Sequence, residues 1–196
     1  MTERRNALVT GCSTGIGRAT ALMLLQRGWR VFATVRRSQD ANALSQAAGD
    51  APGLIPVLLD VTDAASVEQG CIQVREALAG ETLHGLVQNA GVANIGPLEV
   101  IPLDFFARQL EVNLTGVLRV TQSLLPLMRQ GKAPQGSRRI VMISSINGQV
   151  GTPLGGAYCA SKFALEGMSD TLRRELLLQG IDVVIVEPGA IETAIW

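Results

Sequence analysis

The stretch Thr10-Gly11-Cys12-Ser13-Thr14-Gly15-Ile16-Gly17-Arg18 decides the fold class of this chain. It follows an apolar, strand-like run at Ala7–Thr10 and opens an amphipathic segment at Gly15–Arg27. Glycines at a turn from strand to helix let the backbone turn sharply and approach a phosphate closely. The start of the following helix offers unpaired N–H groups and a dipole that favours an anion. The stretch therefore predicts nucleotide binding, with an ordinary tight turn as the alternative.

Strand-like runs alternate with helix-like segments along the rest of the chain. The predicted strands are Ala7–Thr10, Arg30–Val35, Leu54–Asp60, Gly85–Gln88, Arg139–Ile143 and Asp182–Glu187. The predicted helices are Gly15–Arg27, Ser38–Ala47, Ala64–Leu78, Asp104–Met128 and Ala157–Leu178. Strict alternation requires a parallel sheet with right-handed crossovers. We therefore predict an α/β fold with a doubly wound parallel sheet, in a three-layer Rossmann-type arrangement and a single domain over residues 1–196.

Composition narrows the range of partners. The 196 residues carry 17 acidic and 17 basic side chains, so we expect neither nucleic acid nor a strongly acidic partner. No apolar run reaches the length of a membrane span, and the start shows no signal-peptide pattern, so we expect no membrane partner and a cytoplasmic location. The three cysteines match no metal-site spacing, so we expect reduced thiols and no metal.

The ends of the second and third strands bear on which dinucleotide would bind. In a dinucleotide fold, an acidic residue at the end of the second strand binds the 2′-hydroxyl of NAD, whereas an arginine suits the 2′-phosphate of NADP. Val35 stands at the acidic position and Arg36 follows it, which favours NADP over NAD. A solvated pair of arginines is the alternative. Asp60 ends the third strand, where an adenine contact is expected, and Thr62 or Asp63 is expected to cap the next helix.

Three further motifs lie at strand ends or inside a helix. Gln88-Asn89-Ala90-Gly91 closes the fourth strand at the edge of the sheet where ligands bind, and its small residues leave room for a cofactor. Ser145 ends the fifth strand, where its hydroxyl could bond a substrate carbonyl oxygen. Asn113 stands inside an apolar helix although asparagine is a poor helix-interior residue. A polar turn, a capping serine and a surface asparagine are the respective alternatives.

Tyr158 and Lys162 are four residues apart on a predicted helix, so both side chains lie on one face. The ammonium favours the phenolate, and we therefore expect the pKa of Tyr158 to fall from about 10. Such tuning is what general acid–base catalysis requires. A chance pair on a surface helix is the alternative.

Taken together, these residues resemble the short-chain dehydrogenase/reductase family, and the run Tyr158–Gly167 is most similar to its hydroxysteroid and retinol dehydrogenases. The family's loop motif stands at Thr10–Gly17, and its Asn-Asn-Ala-Gly motif stands at positions 88–91 with Gln88 as the one departure. The resemblance implies four catalytic residues, Asn113, Ser145, Tyr158 and Lys162. With the motifs above, the expected cofactor-binding residues are Gly11, Ser13, Thr14, Gly15, Ile16, Gly17, Arg36, Asp60, Val61, Asn89, Ala90, Gly91, Tyr158, Lys162, Pro188, Gly189 and Thr193.

The resemblance implies an oxidoreductase that transfers a hydride between NADP(H) and a carbonyl or secondary alcohol. In this scheme Tyr158 is the general acid and base, Lys162 tunes it and reaches the nicotinamide ribose, Ser145 orients the substrate oxygen, and Asn113 holds a water that connects Lys162 to solvent. The expected substrate-facing segments are Asn94–Pro97, Gln149–Leu154 and the residues after Gly189, which are mostly apolar and predict a small apolar substrate. The resemblance also implies a homodimer or homotetramer, because the helices around Leu110–Leu125 and Tyr158–Leu176 form the usual dimer surface in this family. Their residues Leu114, Leu118, Leu172 and Leu176 could serve there or in the core of the monomer.

One departure from the family leaves alternatives open. The family's Pro-Gly motif after the sixth strand stands at Pro188-Gly189. Family members continue beyond it with a substrate lid, a helix and a seventh strand, whereas this sequence stops at Trp196. We therefore expect a chain truncated at its C-terminus rather than a natural short form. A catalytically silent NADP(H)-sensing protein of the same fold is the main alternative, and an epimerase or dehydratase on this scaffold is another.

Overall fold

Six parallel strands form one sheet in the computed structural model, which describes residues 5–131, 133–134 and 136–193. The strands are β1 (Asn6–Val9), β2 (Arg30–Val35), β3 (Leu54–Leu58), β4 (Gly85–Gln88), β5 (Arg138–Ile143) and β6 (Ile181–Val186). Their order across the sheet is β3-β2-β1-β4-β5-β6, and every neighbouring pair is parallel. This order reverses direction between β1 and β4, where a doubly wound sheet binds its ligand. The predicted fold class is confirmed.

The helices α1 to α6 connect these strands. Their bounds are Gly15–Gln26, Ser38–Ala47, Ala64–Leu78, Leu103–Leu110, Gly116–Arg129 and Gly156–Leu176. A π-helical turn, Glu111–Thr115, joins α4 to α5, and short 3₁₀ turns lie at Ile146–Gly148 and Leu177–Gln179. The single helix predicted over Asp104–Met128 is therefore wrong in its middle, where a wider turn interrupts the α-helical register. Pro126 lies near the end of α5.

Alternation along the strands produces a core on each face of the sheet. Leu8 and Phe32 face one cluster, which α3, α5 and α6 cover, whereas Val9 and Val31 face a second cluster with α1 and α2. All four side chains are buried. The three predicted layers are therefore helices, sheet and helices.

Local signals set the ends of several elements. Gly28 follows α1 with φ of 80°, a left-handed conformation that glycine adopts without a Cβ clash. Asp63 caps α3, because its carboxylate accepts from the backbone N–H groups of Ala65 and Ser66, which decides between the two caps predicted. β3 ends at Leu58, two residues before the predicted end at Asp60. The Asp60 carboxylate accepts hydrogen bonds from the backbone N–H and the hydroxyl of Thr62, which form a turn after the strand.

Candidate active site

Thr10 and Asn89 join the ends of the two central strands. The hydroxyl of Thr10 accepts from the backbone N–H groups of Asn89 and Ala90, both at 2.9 Å. The side-chain amide of Asn89 donates to the carbonyls of Thr10 at 2.9 Å and Gly11 at 3.0 Å. This double link holds the loop before α1 against the end of β4. The departure at Gln88 is accommodated deeper in the core, where its amide donates to Val117 and Thr121.

Two glycines are required by this loop. Gly11 has φ of 70°, and a Cβ there would lie 2.9 Å from the Cα of Ala90. A Cβ on Gly17 would overlap both the carbonyl oxygen of Gly11 and the amide nitrogen of Asn89. The helix that starts here, α1, has Thr14 at its N-cap in an extended conformation without a side-chain capping bond. Its first N–H groups are therefore available to an anion.

A cavity of about 360 Å³ opens above the carboxyl ends of β1, β2, β3 and β4. Most of the residues expected to bind the cofactor line it: Gly11, Ser13, Thr14, Gly15, Ile16, Arg36, Asp60, Val61, Asn89, Ala90, Gly91 and Thr193. Gly17 lies below the loop instead, as its packing against Gly11 shows. Thr193 approaches the start of α1, within 3.2 Å of the point that a Cβ on Gly15 would occupy.

The end of this cavity that is lined by Arg36 and Asp60 holds more charge than the sequence indicated. Burial opposes ionisation of Asp60, yet hydrogen bonds from Thr62 and the charges of Arg36 and Arg108 hold the pKa of its carboxyl below the usual value. Sequence analysis missed Arg108, which lines the cavity from α4. No motif in the sequence marks Arg108, because the packing of α4 brings it to the cavity.

A second cavity of about 270 Å³ adjoins the first and shares Ile16, Asn89, Gly91 and Thr193 with it. Three expected catalytic residues, Ser145, Tyr158 and Lys162, line it. So do Pro188 and Gly189, together with Ile95, Ile143, Ser144, Ile146, Asn147, Thr152, Pro153, Gly155, Ala190 and Ile191. Each of the three expected substrate-facing segments therefore contributes to its wall, although Asn94 lines the first cavity instead.

Asn113 lies outside both cavities and is almost completely buried in the π-helical turn. Its amide nitrogen donates to the carbonyl of Val92 and to the hydroxyl of Ser161, while its amide oxygen accepts from the N–H of Val92. Ser161 in turn donates to the backbone carbonyl of Tyr158 at 2.7 Å. This chain of bonds ties α6 to the segment after β4. Sequence analysis missed Ser161, although its place between Tyr158 and Lys162 was a signal.

Burial dominates the ionisation of Tyr158, which is 8% exposed. Burial raises the pKa of its phenol, a hydrogen bond with Ser145 lowers it, and Cys159 raises it further, so that the pKa lies above its ordinary value. The expected fall in this pKa is therefore wrong for the protein without ligand. The Lys162 ammonium lies 5.6 Å from the centre of the phenol ring, and its attraction does not offset the lost hydration.

Lys162 is 5% exposed, and its ammonium donates to the carbonyl of Ile143 at 2.8 Å. Burial lowers its pKa to about 8, against an opposing effect of the Glu166 carboxylate. With a pKa of about 8, the Lys162 ammonium gains or loses its proton close to neutral pH, beside a buried phenol. Perturbed pKa values of this kind are typical of functional sites.

The three cysteines are free thiols, as predicted, and they differ in character. Burial raises the pKa of Cys12 to about 12 and that of Cys71 to about 11. The pKa of Cys159, which lies beside Tyr158, is shifted in the opposite direction. Burial raises it, but hydrogen bonds with Thr152 and Asn147 lower it by more, so that it lies below the ordinary value.

Within the described ranges no helix is long and apolar enough to cross a bilayer. Those ranges also contain no group of three or more His, Cys, Asp or Glu that could hold a metal ion.

Comparisons with known proteins agree with this geometry. The family model described as short chain dehydrogenase matches residues 5–196. Over 98% of this chain and 67% of the relative, the sequence is 37% identical to an NADPH-dependent 3-dehydrocapnine reductase from Ornithobacterium rhinotracheale. Over 95% of this chain and 57% of the relative, it is 43% identical to retinol dehydrogenase 5 from Homo sapiens. The chain thus spans between about half and two thirds of the length of these curated relatives.

Solved structures show the same architecture. A short-chain dehydrogenase from Streptomyces avermitilis superposes with a TM-score of 0.88 at 35% identity, over 99% of this chain and 68% of that one. An alcohol dehydrogenase from the archaeon Thermococcus sibiricus, complexed with 5-hydroxy-NADP, superposes with a TM-score of 0.87 at 26% identity, over 97% and 78%. The fold, the two adjoining cavities and the matched family model lead to one conclusion: this chain belongs to the short-chain dehydrogenase family.

Proposed function

We propose that the protein is an NADP(H)-dependent oxidoreductase that interconverts a carbonyl and a secondary alcohol on a small apolar substrate, with Tyr158 as general acid and base. One observation carries this proposal. Ser145, Tyr158 and Lys162 line one cavity, which shares four wall residues with the cavity at the sheet's switch point. A substrate oxygen in the second cavity would therefore lie beside both a proton donor and a bound dinucleotide.

The residues of the first cavity fit a dinucleotide. The uncapped start of α1 would form a cradle for a pyrophosphate, and Gly11 keeps the loop before it in place, because a Cβ there would clash with Ala90 and strain the backbone. When bound, a nicotinamide cofactor gives or accepts the hydride, which no side chain can do. The chain's own contribution is to bind, orient and supply charge and protons.

Preference for NADP over NAD is supported by the two arginines that follow β2. Arg36 lines the cavity, whereas Arg37 forms a 2.9 Å ion pair with Asp40 on the surface. This difference supports Arg36, and not Arg37, as the residue that would bind a 2′-phosphate. A relative that is named as NADPH-dependent, and a solved structure that contains 5-hydroxy-NADP, support the same choice.

The buried phenol of Tyr158 suits proton donation. Because its pKa is raised, the phenol is protonated at neutral pH, the form that gives a proton to a carbonyl oxygen undergoing reduction. Ser145 bonds to Tyr158, and in this proposal its hydroxyl would donate to the same substrate oxygen and stabilise its developing charge. The charge of Lys162 would stabilise the phenolate that remains, and in the oxidising direction that phenolate would accept the alcohol proton.

Asn113 acts at a distance from the reacting atoms. Its three hydrogen bonds fix the segment after β4 and, through Ser161, the start of the turn that carries Tyr158. We include it in the catalytic set by resemblance, with a water that it would hold as the link between Lys162 and solvent. In this structure its direct contribution is to position α6.

The substrate class follows from the wall of the second cavity. Ile95, Ile146, Pro153 and Ile191 come from separate segments and bring mostly apolar surface to it. An apolar ketone or secondary alcohol fits this lining, because these four side chains offer no hydrogen bond to a polar group of the substrate. Relatives named as a retinol dehydrogenase and as a 3-dehydrocapnine reductase support an oxidoreductase, and they do not choose between ketone and aldehyde substrates.

A homodimer or homotetramer, built on α5 and α6, and a cytoplasmic location remain proposals. Phe163 on α6 is 47% exposed, which supports a contact surface on that helix. Leu172 and Leu176 belong to the core instead. Sedimentation of the purified protein would test the assembly.

The phenol can be removed with little change in shape by Tyr158→Phe. We expect this variant to bind NADPH within about threefold of the unmodified protein while its reduction of an apolar ketone falls by at least about 10²-fold. Calorimetric titration with NADPH and with NADH measures the first, and loss of NADPH absorbance measures the second. Cofactor binding without turnover of any ketone or alcohol by the unmodified protein would favour the silent sensor, and binding of neither cofactor would overturn the proposal.

A further inference from the structure

Three ionisable side chains among the described residues line the first cavity, and they are Arg36, Asp60 and Arg108. Arg36 directly follows β2, Asp60 lies in the turn after β3, and Arg108 lies on α4. The wall therefore carries two cations and one anion, which is a net of one positive charge at neutral pH. Without Arg108 the charges of Arg36 and Asp60 would cancel, so the whole of the net positive charge depends on Arg108.

The two cations of the wall are not neutralised by close partners. Within the described ranges, neither Arg36 nor Arg108 takes part in a side-chain hydrogen bond or in an ion pair at 4.0 Å or less. Arg37, by contrast, pairs with Asp40 at 2.9 Å. Both wall arginines are exposed, so water and salt screen their charges in part. Cations that line a cleft nevertheless attract anions into it.

Other charges near this wall are paired or lie outside it. Arg119 donates to the carbonyl of Val61, which lines the cavity, but it also pairs with Glu111 at 2.8 Å. That pair adds no net charge. Asp104 lies one helical turn before Arg108 on α4, where it is exposed and lines neither cavity.

The helix that carries Arg108 is anchored to the cavity wall. The next residue, Gln109, is fully buried, donates to the carbonyl of Val92 and accepts from the N–H of Asn94 at 2.8 Å. Val92 and Asn94 both line the cavity, as does Val112, one helical turn after Arg108. The backbone at Arg108 is thus held beside the cavity, although its own side chain has no close partner.

Arg36 and Arg108 act on the same carboxylate. Burial opposes ionisation of Asp60, and hydrogen bonds from Thr62 favour it. The charges of both arginines also favour it, so that the pKa of Asp60 lies below its ordinary value. Two residues that reach one carboxylate from different elements can also act together on one bound anion.

We propose that Arg108 is a specificity-determining residue, which keeps the cavity positive in spite of Asp60 and thereby favours a nucleotide with a 2′-phosphate over one with a 2′-hydroxyl. A phosphate monoester carries about two negative charges near neutral pH, so it gains most from such a field. Arg36 is the proposed direct ligand of this group, whereas Arg108 acts through its charge. The role of Arg108 rests on the proposed choice of NADP(H).

Two adenine nucleotides that differ only in the 2′-phosphate test this role. They are adenosine 2′,5′-bisphosphate and adenosine 5′-monophosphate, and calorimetric titration of the purified protein at low salt gives an affinity for each. The ratio of the two affinities isolates the 2′-phosphate. We expect Arg108→Gln to lower this ratio by about threefold or more, and Arg108→Glu to lower it further. Arg108→Lys should keep it within about twofold, because the charge remains.

The opposite charge in the wall gives a test with the opposite sign. Asp60→Asn removes the anion but keeps an oxygen that can accept from Thr62, so the ratio should rise. The double variant Asp60→Asn/Arg108→Gln again has a net of one positive charge in the wall and should restore the ratio of the unmodified protein. A double variant with a ratio as low as that of Arg108→Gln would contradict a role through charge.

Salt separates an effect of charge from an effect of contact. The difference between Arg108→Gln and the unmodified protein should shrink as NaCl rises from about 20 mM to about 500 mM, because screening weakens the field. An equal loss of affinity for both nucleotides that persists at high salt would indicate a contact with the adenine ring and would overturn the proposal.

Two controls make the same charge change elsewhere. Arg37→Gln alters the neighbour of Arg36, which pairs with Asp40, and Arg129→Gln alters an exposed residue at the end of α5. Neither position lines a cavity, and both variants should leave the ratio unchanged.

Failure of this role can be told apart from failure of the proposed function. An unchanged ratio in Arg108→Gln and Arg108→Glu, with a lower ratio in Arg36→Gln, would overturn the role of Arg108 alone. An unchanged ratio in all three variants would also overturn the choice of NADP(H). Binding of neither nucleotide by the unmodified protein would overturn both proposals.

Discussion

The side-chain amide of Asn89 donates a 3.0 Å hydrogen bond to the carbonyl oxygen of Gly11, and both groups pack against the bare Cα of Gly17. The order of the loop before α1 thus depends on a residue at the end of a strand far away in sequence. Each partner is already engaged, so neither can move aside without losing a bond.

Gly17→Ala should therefore be disruptive. The added methyl must displace Asn89 or the Gly11 carbonyl, and we expect the free energy of unfolding to fall by about 1–3 kcal/mol, with NADPH affinity reduced. Urea unfolding and calorimetric titration measure the two effects. Gly167→Ala is the matched control, since its methyl would meet open space in α6 and should stabilise by up to about 1 kcal/mol. Equal stability of the two variants would contradict the packing described.

The two neighbouring arginines after β2 offer a paired test of cofactor preference. Arg36→Gln should weaken NADPH binding by about tenfold or more with little change for NADH, because it removes a cation from the cavity wall. Arg36→Asp should shift preference toward NADH. Arg37→Gln is the control, since Arg37 pairs with Asp40 outside the cavity. Titrations with both cofactors measure these ratios, and an unchanged ratio in both Arg36 variants would exclude its role with the 2′-phosphate.

Burial of the Lys162 ammonium costs stability that depends on pH. Because its pKa falls from 10.5 to about 8 on folding, the unfolded chain binds more protons between those values. The full cost is present below pH 8, and stability rises as pH increases from about 8 to 10.5. Lys162→Met removes the charge, so we expect its free energy of unfolding at pH 7 to rise by about 1–3 kcal/mol while turnover is lost. Thermal unfolding from pH 7 to pH 10 checks this, and a loss of stability at pH 7 would count against a costly ammonium.

Thiol modification should distinguish the three cysteines. Cys159 has a lowered pKa, whereas those of Cys12 and Cys71 are raised to about 12 and 11. We expect iodoacetamide at pH 8 to modify Cys159 first, slowly because it is only 6% exposed, and the other two only on unfolding. Peptide mass spectrometry gives the order, and Cys159→Ser should abolish the first modification. Earlier modification of Cys12 would be inconsistent with the structure.

Much of the fold could be predicted because its signals are local. Alternation of strand and helix patterns, with the glycine-rich loop after β1, was enough to predict the parallel sheet. The long helix over Asp104–Met128 could not be resolved in this way. Its interruption at the π-helical turn accompanies tertiary bonds from Asn113 to Val92 and Ser161, which no periodicity reveals.

The candidate site could likewise be predicted only where its signals are local in the sequence. Spacing alone placed Tyr158 and Lys162 on one helical face, and they line one cavity. The predicted direction of the pKa shift of Tyr158 was wrong, because the shift depends mainly on how far the fold buries the phenol, which the sequence does not show. Arg108 was missed, because it reaches the first cavity from α4, outside every motif in the sequence.

The π-helical turn at Glu111–Thr115 also has a consequence for helical phase. A wide turn acts as one inserted residue, and each residue of an α-helix rotates its successors by about 100°. Arg108 on α4 lines the first cavity, while Val120 and Leu124 on α5 belong to the core. Because the wide turn lies between the two helices, the 3.6-residue pattern of α4 does not continue in phase into α5, and a substitution that fits the periodicity of one helix cannot be extrapolated to the other.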